Sequence, residues 1–165
     1  MSTFNSKLQD RIDPVLLDHI LSEFVLELES IHGINHWRRV ARNARLIAKY
    51  VTIDTDITDL FAYFHDSKRE HDGGDPGHGE RAANFILDTW DQGLIPLERD
   101  RMLLLCEAVS FHDEMRFHDD PTVGACMDAD RLDLGRCGII PNPLYLNHNA
   151  SKQLIQECLP VLMRE

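Results

Sequence analysis

Paired cysteines are missing from this chain. Its four cysteines, Cys106, Cys126, Cys137 and Cys158, show no CxxC spacing, which excludes a redox dithiol or a thiolate metal cage built on that motif and points to a reducing compartment. They are read as buried apolar residues. No signal-peptide pattern opens the sequence, so a cytoplasmic setting is expected. Apolar runs of membrane-spanning length are also missing, the first helical stretch being broken by Glu23, Glu27 and Glu29, and no membrane partner is expected. Positive charge is scarce: 17 Lys and Arg stand against 28 Asp and Glu, for a net charge of −11. That sign opposes broad nucleic-acid binding. An anionic ligand would need metal ions or a local basic cluster. Strand-like alternation, internal repeats and the HExxH, GxSxG and P-loop patterns are absent as well.

What remains is helical. At 165 residues with 43% hydrophobic content, residues 1–165 fit one domain. Asp13-Pro14 reads as an N-cap with proline at the first helical position, and the apolar period that follows predicts a helix over Pro14–Ser30. The clearest amphipathic segment is Asn35–Tyr50, with Trp37, Val40, Ala41, Ala44 and Ile47 inward. Further helices are expected over Thr58–Asp66, His78–Asp91, Pro96–Phe111, Pro121–Leu134 and Ala150–Leu162, with a Gly- and Asp-rich loop at 70–77. The fold class is all-α, a compact helical bundle.

Nine histidines are many for this length, and their placement carries the chemistry. His36 shares a helix face with Val40, Asn43 and Ile47. His65 and Asp66 close a helix whose inward residues are Leu60, Phe61 and Phe64, and Asp130 lies on the stripe Val123, Met127, Asp130, Leu134. An unpaired buried carboxylate is costly. A divalent cation held by His36, His65, Asp66 and Asp130 would neutralise that cost. Glu29 and His32 have the ExxH spacing of di-iron bundles, but no second ExxH completes that plan. His32, His71, His118 and His148 are left as surface or loop residues, and Trp37, Cys126 and Met127 as core.

The segments HGINHWRRVARNARLIA at 32–48, FHD at 64–66, HGERAA at 78–83 and DADRLD at 128–133 together resemble the HD superfamily of metal-dependent phosphohydrolases. The pattern H…HD…D maps in order onto His36, His65-Asp66 and Asp130, and the resemblance runs over about 32–134. It implies a helical bundle holding one or two divalent ions, with Mn, Fe, Co, Ni, Zn and Mg all compatible. Members similar to this chain add histidines for a second metal, a role that His78 and His112 could take, with Asp66 bridging. The implied activity is hydrolysis of a phosphomonoester or phosphodiester of a nucleotide or similar small phosphorylated metabolite by metal-activated water, with Asp66 also orienting the water.

Lys68, Arg69, Arg39, Arg81 and Arg131 sit in or beside these segments and are candidates for gripping the phosphate. Arg69 stands where the nucleotidase and guanosine-tetraphosphate hydrolase branches carry an acid. A basic residue there resembles the HD-GYP branch, yet the GYP motif is missing. The run at 65–83 is similar to a bacterial subgroup of small HD proteins for which no substrate is implied. The competing reading is a non-catalytic metal- or nucleotide-binding module, and a homo-oligomer is left open.

Overall fold

A computed structural model describes residues 9–164; the first eight residues and Glu165, which belong to the span expected to form the domain, lie outside the described part. Its elements are α1 (Pro14–Glu23), α2 (Ile34–Ile47), α3 (Thr55–Phe64), α4 (His78–Asp91), α5 (Arg99–Phe111), α6 (Pro121–Arg131), α7 (Asn149–Gln153) and α8 (Ile155–Cys158), with short 3₁₀ turns at Leu134–Cys137, Pro143–Tyr145 and Val161–Met163. Among the described residues there is no strand, and the all-α expectation holds.

Three of these helices begin on the same device. Asp13, Asp54 and Asp120 each accept hydrogen bonds from two backbone N–H groups of the turn they precede, and α1 and α6 place proline directly after the cap. The aspartate satisfies donors that have no partner in the helix, and proline loses nothing where its missing N–H is not needed. Asp54 moves the start of α3 three residues ahead of the expected Thr58.

Helix α3 is the centre of the bundle, packed by α1, α2, α4, α5 and α6. This explains why it is buried on nearly every face from Ile57 to Phe64. A short helix without a solvent face reads as a continuous apolar run rather than an amphipathic one. Trp37, Phe61, Tyr63, Phe64, Met127 and Leu132 are among the fully buried side chains of the single apolar cluster.

Beyond shifts of about three residues in the bounds of α2, α3, α5 and α6, two expected helices differ in kind. Helix α1 stops at Glu23, with Phe24 extended, instead of reaching Ser30. Phe24 leaves the helical path to meet the Trp37 ring edge-on at 4.9 Å. Val25 and Leu28, placed on the inward stripe by period alone, are exposed. The loop that follows crosses so close to Gly33 that a Cβ there would lie 2.1 Å from the Leu28 carbonyl oxygen. The expected helix Ala150–Leu162 is broken into α7, α8 and the 3₁₀ turn after Pro160, because proline cannot continue the hydrogen-bond ladder. The four cysteines are free, but only Cys126 and Cys158 are buried; Cys137 is exposed at the end of a 3₁₀ turn and Cys106 is half-buried.

Candidate metal centre

Three helices deliver the first group. His36 comes from the first turn of α2, His65 from the C-cap of α3, and Asp130 from the last turn of α6. His36 and His65 are buried, and their Nε2 atoms lie 3.0 Å apart. Asp66 Oδ2 is 3.4 Å from both, and Asp130 Oδ1 is 3.2 Å from His36 Nε2 and 3.7 Å from His65 Nε2.

The second group uses the other oxygen of the same carboxylate. His78 Nε2 is 3.4 Å and His112 Nε2 3.9 Å from Asp66 Oδ1, and the two Nε2 atoms are 3.1 Å apart. His78 opens α4 after Gly77, whose φ of 85° is the left-handed conformation that turns the loop into the helix. His112 caps the end of α5. Its meeting with His78 depends on Gly79: a Cβ there would stand 2.7 Å from the carbonyl oxygens of Val109 and Ser110. The absence of a side chain lets α4 and α5 approach closely enough for the imidazoles to face each other.

All four rings are turned the same way. Nδ1 of His36 meets Asp133 Oδ2 at 2.7 Å, that of His65 the carbonyls of Phe61 and Ala62 at 3.2 and 3.0 Å, that of His78 the Asp75 carbonyl at 2.7 Å, and that of His112 the Val109 carbonyl at 2.7 Å. These oxygens accept, so each Nδ1 carries a proton and each ring, once neutral, aims its Nε2 lone pair at the centre. Such outward bonds are the arrangement that orients metal-ligating histidines. Two ligands bonded at about 2.1 Å and about 90° to one another stand about 3.0 Å apart, and about 3.4 Å at a tetrahedral angle. Six of the eight separations fit that range, while His65–Asp130 at 3.7 Å and His112–Asp66 at 3.9 Å are longer.

Charge tells the same story. Burial alone would lower the His36 pKa, but Asp130, Asp133 and Asp66 outweigh it and raise it. Burial likewise opposes, and Asp66 and Asp130 overcome, so that His65 is pushed up to about 10. Burial would raise Asp66 and Asp130, yet the imidazoles hold both well below the usual carboxylate range. The cluster therefore demands positive charge at its centre. Protons serve this demand poorly, since two Nε2–H groups 3.0 Å apart would point into the same space. Asp130 Oδ1 is also buried without a hydrogen-bond partner among the described residues. One divalent cation answers both defects, so the residues present fit such a group, and His36, His65 and Asp66, and again Asp66, His78 and His112, could each hold a metal ion.

The basic candidates are all engaged with the protein. Arg69 Nε donates to Asp66 Oδ1 at 2.8 Å and fixes the shared carboxylate. Arg39 donates to Asp133 Oδ1, the carboxylate behind His36. Lys68 pairs with Glu23 and lies over the Phe85 ring, and Arg81 clamps Asp75 and the Lys68 carbonyl. Arg131 spends its guanidinium on the carbonyls of Met115, Arg116 and Tyr145. The structure thus places Arg69 and Arg39 against residues that hold the centre, and Lys68, Arg81 and Arg131 in supporting bonds further out.

Two residues escaped the sequence reading. Asp133 is buried and bridges His36 to Arg39; it stands just past the end of α6, three positions after Asp130, and that i, i+3 spacing within the expected helix is the signal that could have found it. His32, expected at the surface, is buried, with Nδ1 2.9 Å from Asp72. Its partner comes from the loop after α3, 40 residues along the chain, a long-range contact that no local pattern announces.

No protein-family model, curated protein or solved structure matches the chain.

Proposed function

We propose that this protein is a metal-dependent phosphohydrolase of the HD type, acting on a small phosphorylated substrate. One observation carries the reading: Asp66 presents one oxygen to the His36–His65 pair and the other to the His78–His112 pair. A carboxylate shared between two imidazole pairs is suited to a two-metal centre that spans the attacking and leaving oxygens of a phosphoryl group. When bound, divalent ions would supply a water acidified towards neutral pH and would stabilise charge on phosphoryl oxygens. The chain's own residues do the positioning. Arg69 holds Asp66, Asp133 holds the His36 tautomer, and backbone carbonyls hold the other three rings.

Behind the second pair, Asp113 Oδ2 lies 3.8 Å from His78 Nδ1, the ring nitrogen turned away from the centre, and Asp113 also lines a cavity of about 430 Å³ walled by Met115, Arg116, Ile140 and Tyr145. The competing reading, a binding module without turnover, draws on the engagement of all five basic candidates by the protein, which leaves the phosphate grip to the ions. The two separate on activity. Protein loaded with Mn²⁺, Fe²⁺, Co²⁺, Ni²⁺ or Mg²⁺ should hydrolyse bis-p-nitrophenyl phosphate or a member of a nucleotide panel, and Asp66→Ala should abolish it. Metal-loaded protein that turns over nothing in the panel would favour the module.

A further inference from the structure

On the far side of Asp133 from the metal centre lies a cavity of about 350 Å³ whose lining includes Arg39, Arg42, Arg136 and Arg164, with Cys158 among the other wall residues. The only acidic side chain in the lining is Asp133, so four guanidinium groups face one carboxylate. In a protein with 17 basic residues and a net charge of −11, this concentration is not what a random surface would place together. Like charges gathered around one cavity repel, and a bound anion relieves that cost.

The arginines are drawn from three separated parts of the chain. Arg39 and Arg42 stand one turn apart on α2, Arg136 on the 3₁₀ turn after α6, and Arg164 just beyond the last 3₁₀ turn. Their internal bonds set their orientation and leave donors over. Arg136 is anchored on the Ile31 and Asp133 carbonyls, and Arg164 on those of Leu159 and Glu157. Arg39 is held through Nε alone, and Arg42 through Nε and one terminal nitrogen to Asn43. Both terminal nitrogens of Arg39 and one of Arg42 make no hydrogen bond to the described residues. A guanidinium held on one edge and open on the other matches the bidentate geometry of phosphate oxygens.

We propose that this cavity is a binding site for a small phosphate-bearing anion, separate from the metal centre. The site stands on the arginines alone and does not depend on the protein being a hydrolase. It borders the centre at two carboxylates: Asp133 accepts from Arg39 at 2.7 Å and meets His36 Nδ1 at 2.7 Å, and an Arg136 terminal nitrogen stands 3.8 Å from Asp130 Oδ1.

Isothermal titration of the full chain, stripped of metal with EDTA, with orthophosphate and with pyrophosphate tests it without any contribution from metal-bound phosphate. Saturable binding of one anion per chain is expected, weakening as KCl is raised. Arg42→Gln and Arg164→Gln should each weaken it by about tenfold, consistent with loss of one charge-assisted contact. Arg42→Lys, which keeps the charge but not the fork, should fall between. Arg101→Gln, which removes a guanidinium paired with Asp54 and Asp56 elsewhere, should change nothing, and thermal unfolding of each variant checks that it is folded. Binding that is equal in the Arg42→Gln/Arg164→Gln double variant, or no binding up to about 10 mM, a barely millimolar-range affinity, would overturn the proposal.

Discussion

The two imidazole pairs that share Asp66 are built differently. The His36–His65 pair lies in the core, adds Asp130 as a second carboxylate, and has a third, Asp133, behind it. The His78–His112 pair sits where α4 and α5 meet, has Asp66 as its one close carboxylate, and is held from behind by backbone carbonyls; Asp113 beside it is nearly half exposed. His36 and His65 are both raised, whereas the second pair is split: burial opposes but Asp66 and the Asp75 carbonyl raise His78, and burial and the neighbouring His65 lower His112. On the proposed reading, more negative charge would make the first pair the tighter of the two candidate cation sites, and the second the one expected to exchange.

Removing the shared carboxylate erases the difference. Asp66→Ala should bring metal content by elemental analysis to background at both positions, and retention of a full complement would show that the two pairs do not depend on one carboxylate. Separating them comes next. His65→Gln should cost the first ion, by more than the roughly 10–100-fold that loss of an outer hydrogen-bond partner costs, whereas His78→Gln should leave one tightly held ion per chain. Equal losses would mean that the pairs are equivalent. Asp133→Asn tests the extra shell of the first pair alone: affinity there should fall by about 10–100-fold, with occupancy of the second unchanged.

Smaller effects probe packing and protons. Gly79→Ala forces α4 away from the Val109 and Ser110 carbonyls, at a cost of about 1–3 kcal/mol for overpacking. It should weaken the second ion more than the first, read by metal titration and thermal unfolding. Acid should act on the metal-free protein through its depressed carboxyls, in the centre at Asp66 and Asp130 and in the scaffold as well. The guanidinium beside Asp54, Arg101, and that beside Asp10, Arg38, hold their carboxyls below the usual range. Depressed carboxylates contribute stability that is present above about pH 4 and is lost as pH falls through their folded values. His65 has the opposite sign. Its raised value contributes to metal-free stability below about pH 6.5 and loses that contribution as pH rises towards about 10. Because the same nitrogen must be deprotonated to ligate, first-ion affinity should rise over that interval; a flat dependence would show that His65 is no ligand.

Much of this was legible along the chain, for reasons that are local. The period of α2 placed His36 with Val40, Asn43 and Ile47, and all four are buried. The expected bounds of α4, His78–Asp91, are those observed, because a glycine-rich turn before it and Gly93 after it are written in sequence. The failures share a cause too. Helix α1 was read too long since Val25 and Leu28 keep the helical period while Phe24 is taken by Trp37. The bond that Arg69 makes to Asp66 was likewise invisible along the chain, where its charge alone made it a candidate phosphate contact.

The sequence by itself determined the helical class, the Asp13-Pro14 start of α1 and the residues able to ligate, because propensity, capping and period act within a few residues. Tertiary structure alone decided that Asp66 divides its two oxygens between two imidazole pairs, that Asp133 stands behind His36, and that four arginines surround one cavity. Those facts depend on distances between segments far apart in the chain, set by how α2, α4, α5 and α6 pack around α3, and no local pattern encodes them.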